Sequence, residues 1–237
     1  MAVSLLGGVA GAAELAKPVG VVELFTSQGC NSCPRADALF TEMAQRDDIV
    51  TLAYHVTYWD YLGWRDTMAS KDNTERQYSY MRALGAGSVY TPQVVVNGRF
   101  HVNGANRAAI NDTLAEAAED SLPVGLTVRT VGDSVVIDAG ESKTPSAKAH
   151  LVLVYYGPPL QVDIGRGENN GRKMTYWNAV SDVQTAGMWH GKAQSYELPA
   201  SEIARKGGCA VLLQSVAADG GPGPILGAAI VRKPSKP

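Results

Sequence analysis

Two thiols three residues apart, in Cys30-Asn31-Ser32-Cys33, are the residues of this sequence best suited to chemistry. A cysteine at a helix N-terminus meets unpaired backbone N–H groups and the positive end of the helix dipole, both of which favour the thiolate. Cys30 is therefore the candidate nucleophile. Cys33 is one turn on and can attack a mixed disulfide formed at Cys30, which makes it the candidate resolving thiol. A static structural disulfide is the other reading of the same pair. A second constellation follows at His55, Tyr58, Trp59, Asp60, Tyr61 and Trp64. Tyr58 and Trp59 could wall a substrate groove and His55 or Asp60 could move protons, while the same residues equally fit a packed aromatic loop. Cys30, Cys33 and His55 together resemble a thiolate and imidazole set for copper(I) or zinc, but no fourth ligand is in view. No metal or other cofactor is therefore expected.

The elements that must hold these residues are legible as periodicities. Gly20 to Phe25 reads as a buried strand, broken by Thr26-Ser27-Gln28-Gly29 just before Cys30. Cys33, Ala36, Leu39, Phe40 and Met43 recur at helical spacing, with Pro34 suited to the first turn and Ser32 or Asn31 as the expected cap. Ile49 to Val56 reads as a second strand, and Asp72 with Glu75 as the capping box of a helix reaching Leu84, closed by Gly85 to Gly87. Gln93 to Val96, Asn97-Gly98 and Arg99 to Val102 form a hairpin pattern, and a helix is predicted from about Asn106 to Glu119. The order is β-α-β-α-β-β-α. His55 to Trp64 then lies beyond the carboxyl end of the second strand, the edge where open α/β sheets bind ligands.

After Ser121-Leu122-Pro123 the pattern changes to short strands separated by Gly, Pro and Asp turns. The candidates are Leu126 to Thr130, Val135 to Ala139, Ala149 to Tyr156, Met174 to Asp182, Gln194 to Leu198, Ala210 to Val216 and Ile225 to Val231, with Asp219 to Pro224 as a hairpin loop. A mainly antiparallel, sandwich-like β module is expected. Gly165-Arg166-Gly167-Glu168-Asn169-Asn170-Gly171-Arg172 reads as a long hairpin loop; were it to pack on the redox edge, Arg172 and Glu168 could shape substrate access. Cys209 alternates with strand residues as a buried small hydrophobe. The expected divisions are residues 1–17 as leader, 18–122 as α/β domain and 123–237 as β-rich module.

Ala2 to Ala16 is apolar and small and reads as the back half of a secretory signal peptide, too short to span a bilayer. Export would place the cysteines where disulfides persist, in a secreted or periplasmic setting. With 21 basic and 23 acidic residues the formal charge is −2, which argues against a nucleic-acid or anionic-membrane surface. Three cysteines are too few for a disulfide scaffold in 237 residues, so the Cys-x-x-Cys stands out as chemistry.

The Cys30-to-Cys33 motif between strand and helix, with Thr91-Pro92 opening the third strand, resembles the thioredoxin superfamily over about Val19 to Asp120. More narrowly, Val22-Glu23-Leu24-Phe25-Thr26-Ser27-Gln28-Gly29-Cys30, Ala53-Tyr54-His55-Val56, Tyr58-Trp59-Asp60 and Tyr90-Thr91-Pro92-Gln93-Val94 resemble an exported bacterial family catalogued as domain of unknown function 1223, over nearly the whole chain. The superfamily resemblance implies a cis-proline at Pro92 beside the two sulfurs, with the backbone of Thr91 available to an extended substrate. The sequence departs from that pattern in carrying Gly29 before the first cysteine and Asn31-Ser32 between the pair. It also has Leu24 where thioredoxins bury an acid, with Glu23 on the opposite strand face. The expected function is thiol–disulfide exchange with a protein or peptide in the cell envelope; a metal-handling protein and a non-catalytic binding module with a fixed disulfide are the alternatives. Direction of electron flow, partner and oligomeric state are not encoded in the motif.

Overall fold

The computed structural model of the protein describes residues 18–119, 122–144 and 147–231, so the predicted leader lies outside the described residues. The first half runs β1 (Gly20–Thr26), α1 (Pro34–Met43), β2 (Ile49–His55), α2 (Lys71–Ala83), β3 (Gln93–Val96), β4 (Phe100–Asn103) and α3 (Arg107–Glu119). These strands form one mixed sheet in the order β2-β1-β3-β4, with β1 parallel to β2 and antiparallel to β3. The turn between β3 and β4 places Asn97 and Gly98 at φ 50 and 63°, the left-handed pair that a tight hairpin requires.

Alternation along β1 sorts the two faces of that sheet. Val22 and Leu24 join Ala36 and Phe40 of α1 and Ile110 and Leu114 of α3 in one apolar layer. Val21 and Phe25 face the other way, into a layer that includes Tyr80 of α2.

The second half contributes β5 (Leu126–Val131), β6 (Ser134–Ala139), β7 (Ala149–Tyr156), β8 (Leu160–Asp163), β9 (Lys173–Tyr176), β10 (Val180–Trp189), β11 (Gln194–Pro199), α4 (Ala200–Lys206), β12 (Gly208–Val216) and β13 (Pro222–Val231). Its main sheet, β10-β7-β12-β13, is antiparallel; beside it are a three-stranded sheet β11-β6-β5 and the hairpin β8-β9. Period-two alternation on β7 sends Val152 and Val154 to the layer shared with Val21 and Phe25, and Leu151 and Leu153 to the layer shared with Val135 and Ile137. The four-stranded sheet is thus covered on both faces, once by the mixed sheet and once by the three-stranded one.

Three local expectations need correction. Helix α1 is capped by Cys33 without a side-chain bond, because the Ser32 hydroxyl is turned to Cys30 Sγ and the Thr91 carbonyl. Pro34 carries no N–H, which leaves one donor fewer to satisfy at that end. Helix α2 is capped by Ser70, whose hydroxyl accepts from the Asn73 N–H at 3.0 Å, and Asp72 instead sits in the first turn where its charge suits the dipole. The run Met174 to Asp182 is two strands, split at Asn178 with φ 49°. There the Asn178 carbonyl accepts from the Ala53 N–H at 3.0 Å, and its amide donates to the Thr51 hydroxyl at 2.9 Å, so the segment is spent on the outer side of β2. Strand β8 and helix α4 went unpredicted, since each is short and flanked by proline.

Candidate functional site

Strand β1 ends at Thr26, and Ser27 to Ser32 then turn the chain into α1 with the Cys30 N–H donating to the Ser27 carbonyl and that of Cys33 to Cys30. This turn brings the two cysteine Cα atoms to 5.4 Å, and their sulfurs are joined as a disulfide. Cys30 is 1% exposed and Cys33 0%, whereas Asn31 and Ser32 between them are exposed. The Thr91–Pro92 bond is cis. Ser32 ties that bond to the motif, lying 3.3 Å from Cys30 Sγ and donating to the Thr91 carbonyl at 3.4 Å.

Trp59 crosses the same neighbourhood. Its indole N–H donates to the Thr91 hydroxyl at 2.7 Å, and a Cβ added to Gly29 would sit 3.1 Å from the Trp59 Cβ and carbonyl oxygen. The glycine before the first cysteine therefore has a packing reason: Trp59 already fills the space a larger residue would need. Tyr58 donates to Gln77 at 3.1 Å, and burial pushes its phenol up to about 12. Asp60 opens a short 3-10 turn, Asp60–Leu62, and accepts from the Asp66 N–H at 3.1 Å, which makes it a loop brace.

The loop between β8 and β9 closes over the motif. Asn169, buried, donates through Nδ2 to the carbonyls of Gln28 and Cys30, both at 2.9 Å. A Cβ added to Gly167, at φ 73°, would sit 3.2 Å from the Leu62 carbonyl oxygen. Glu168 and Arg172, the residues expected to shape access, are on the outer surface. Asn169 makes the contact, and a buried amide in a glycine-rich loop offered no local signal for its distant partners.

Between β1, β2 and α1 is a buried polar group that sequence reasoning missed in part. Thr26 on β1, His55 on β2 and Asp37 on α1 share the layer between sheet and helix, since Thr26 follows Val22 and Leu24 in alternation and His55 follows Ala53. Asp37 accepts from the Thr26 hydroxyl at 2.7 Å through Oδ1, while Oδ2 has no hydrogen-bond partner among the described residues. Burial pushes its carboxyl up to about 7, with the His55 charge opposing. His55 Nδ1 is 2.7 Å from Asp66 Oδ2, both side chains fully buried, and the His55 ring stands edge-on to Tyr176 with centroids 4.8 Å apart. Burial works against the imidazolium, but the charge and hydrogen bond of Asp66 outweigh it and raise the His55 pKa. Asp66 is in turn held below the usual carboxylate range: burial is outweighed by His55 and by the backbone N–H groups of Gln28 and Met68. His55 Nε2 is the other orphaned atom of the cluster.

Glu23 serves elsewhere. It projects to the opposite face of β1 and accepts two bonds from Arg76, at 2.7 and 2.9 Å, and one from the Tyr80 hydroxyl. Arg76 continues to Gln214 of β12 at 3.0 Å, so this buried network joins the two halves and has no contact with the cysteines. Cys209 is wholly buried on β12 in the apolar core. Among the described residues no group of three or more His, Cys, Asp or Glu side chains is arranged to hold a metal ion, so the alternative Cys30, Cys33 and His55 set is not assembled. Nor is any helix among them long and apolar enough to cross a membrane.

A mixed sheet with helices, backed by antiparallel sheets and carrying a buried Cys-x-x-Cys disulfide at a helix N-terminus, defines the class of this protein. Residues 21–214 match the family described as protein of unknown function DUF1223, and the chain belongs to that family. A solved structure of protein AGR_C_4864 from Agrobacterium tumefaciens is 50% identical, with a TM-score of 0.82, covering 91% of this chain and 95% of that one. HBP35 of Porphyromonas gingivalis shares the fold at 12% identity, with a TM-score of 0.63 over 91% of this chain and 75% of that one. No curated protein matches the chain.

Proposed function

We propose that this protein is a thioredoxin-like thiol–disulfide oxidoreductase that exchanges disulfides with a protein or peptide partner through Cys30, with Cys33 as resolving thiol. The observation that carries the reading is the Cys30–Cys33 disulfide at the start of α1 with the cis Thr91–Pro92 bond tied to it through Ser32. A partner thiolate attacks Cys30 Sγ, the sulfur at the head of the turn, and Cys33 leaves with the electron pair of the broken bond. A partner strand would lie along Thr91, beside Trp59. Export of the chain, expected from its leader, would set the reaction in an oxidising compartment.

The burial of both sulfurs sets a condition. Exchange requires a local opening that exposes the sulfurs, and the loop carrying Asn169, bonded to the Cys30 carbonyl, is the segment we infer to move. The same burial favours the second reading, a fixed structural disulfide. Measuring the reduction potential in dithiothreitol buffers, with Cys33→Ser in parallel to trap partners through Cys30, separates the two. A potential between roughly −120 and −270 mV together with a trapped partner supports exchange. A potential below about −300 mV with nothing trapped sinks it in favour of the structural disulfide.

A further inference from the structure

The arginines of this chain divide by position. Arg46, Arg82, Arg107 and Arg129 are exposed and each has a carboxylate partner, Arg76 is held by the buried Glu23, and Arg99 is engaged as well. Arg35, Arg65, Arg166 and Arg172 are exposed and make no ion pair or side-chain hydrogen bond among the described residues. These four are on the segments that meet at the cysteine turn. Arg35 is two residues beyond Cys33 in the first turn of α1, where the helix dipole works against a cation, so its charge does not serve the helix. Arg65 stands between Trp64, whose indole N–H donates to Gln28 Oε1 at 2.9 Å, and Asp66, which accepts from the Gln28 N–H at 2.8 Å. Arg166 and Arg172 are three residues either side of Asn169, whose amide holds the Gln28 and Cys30 carbonyls.

Little on these segments offsets that charge. Asp37 and Asp66 are buried, Asp163 is paired with Lys173, and Asp60 braces its loop, which leaves Glu168 as the exposed carboxylate without a partner of its own. A surplus of positive charge therefore borders the disulfide on a chain whose formal charge is −2. Tyr61, on the short turn before Arg65, adds a large aromatic side chain that is 77% exposed.

Tyrosine and arginine are the side chains that protein contacts favour, and a guanidinium with no partner meets a carboxylate without first breaking another pair. Resting on the exchange reading above, we propose that Arg35, Arg65, Arg166 and Arg172, with Tyr61, form the docking surface for the partner, and that the partner carries Asp and Glu residues beside its reacting cysteine. The acidic flank speeds encounter and holds the partner sulfur near Cys30. Glu168 opposes it and sets a limit on the attraction.

The test uses the reduced full chain and three peptides of equal length, each with one cysteine held as its 2-pyridyl disulfide and flanked by Asp and Glu, by Ser and Gly, or by Lys and Arg. The Cys30 thiolate attacks the peptide sulfur, and pyridine-2-thione leaves with the electron pair and is followed by its absorbance. Dividing each rate constant by that with dithiothreitol cancels the effect of flanking charge on the peptide sulfur itself. At low ionic strength the acidic peptide should react about tenfold or more faster than the basic one, and the ratio should fall toward one in about 0.5 M salt. Replacing the four arginines together (Arg35→Gln, Arg65→Gln, Arg166→Gln and Arg172→Gln) should bring the ratio close to one at low salt. Arg107→Gln with Arg129→Gln should keep it, and Glu168→Gln should raise it, which also reads the proposal if the fourfold variant does not fold. Equal normalised rates for acidic and basic peptides, or a preference lost as fully in the Arg107 and Arg129 variant, overturn the proposal and leave exchange standing. So does arginine-dependent capture of phosphatidylglycerol vesicles without any preference among the peptides, which makes the surface a membrane contact. A parent that releases no pyridine-2-thione from any peptide overturns the exchange reading and the proposal with it.

Discussion

In the disulfide form, where neither Cys30 nor Cys33 can titrate, the Asp37 carboxyl makes folding stability depend on pH in a calculable way. Its pKa is 3.8 in an ordinary setting and about 7 in the fold, raised by burial. Below about pH 4 both folded and unfolded chains hold the proton and the carboxyl contributes no pH dependence. Between pH 4 and 7 the unfolded chain gives up a proton that the folded chain keeps, so stability falls as pH rises. Above about 7 the loss is complete; at about 1.36 kcal/mol per pH unit it amounts to about 4 kcal/mol. Asparagine has nearly the same shape and ionises in neither state. The stability of Asp37→Asn relative to the parent should therefore climb by about 4 kcal/mol between pH 4 and 8, whatever fixed cost the amide incurs at Thr26. Urea unfolding of both oxidised proteins at half-unit pH steps measures the difference, in which the titration of Asp66 and His55 largely cancels. A difference that stays flat across the window would refute the burial of an unpaired carboxyl at this position.

Other outcomes follow from the same geometry. Arg76→Met strands the buried Glu23 carboxylate and should cost about 3 to 5 kcal/mol, while adding Glu23→Leu to that variant should recover most of it; urea unfolding of the two variants checks this, and a double variant no better than the single would contradict it. Asn169→Ala removes the donor shared by the Gln28 and Cys30 carbonyls and should cost about 1 to 3 kcal/mol while speeding reduction of the disulfide by dithiothreitol about tenfold or more. An unchanged reduction rate would mean that the loop does not limit access. Gly98→Ala places a Cβ 2.6 Å from the Gly223 carbonyl at φ 63° and should lower thermal stability measurably, with a shift of several degrees expected for a loss of about 1 to 3 kcal/mol.

The first half of the fold was legible because its signals are local. Alternation in Gly20 to Phe25, helical spacing from Cys33 to Met43 and the Asn97-Gly98 pair each report on neighbours a few residues away. Strands β9 and β10 were read as one because the break at Asn178 is imposed by β2, more than 120 residues earlier, and not by a turn-forming sequence. At the site the cysteine pair was plain from spacing, and His55 from its type. Asp37 carried a usable signal that went unread: with Cys33, Ala36 and Phe40 it lies on the apolar stripe of α1, where a carboxylate is out of place. Asp66 and Asn169 carried none, since each acts through partners 11 to 141 residues away that only the tertiary fold brings near.

The attachment of Asn178 and Ala179 to the outer side of β2 has a consequence for how this chain can be divided. A fragment ending near residue 122 would carry every residue of the Cys-x-x-Cys turn, yet it would bare β2 as an open edge with unpaired N–H and C=O groups. It would also uncover Phe25, Leu52 and Val95 on the face now covered by the antiparallel sheet. Open edges and wide apolar faces drive chains to stack on one another. The fragment should accordingly precipitate or assemble into β-rich aggregates.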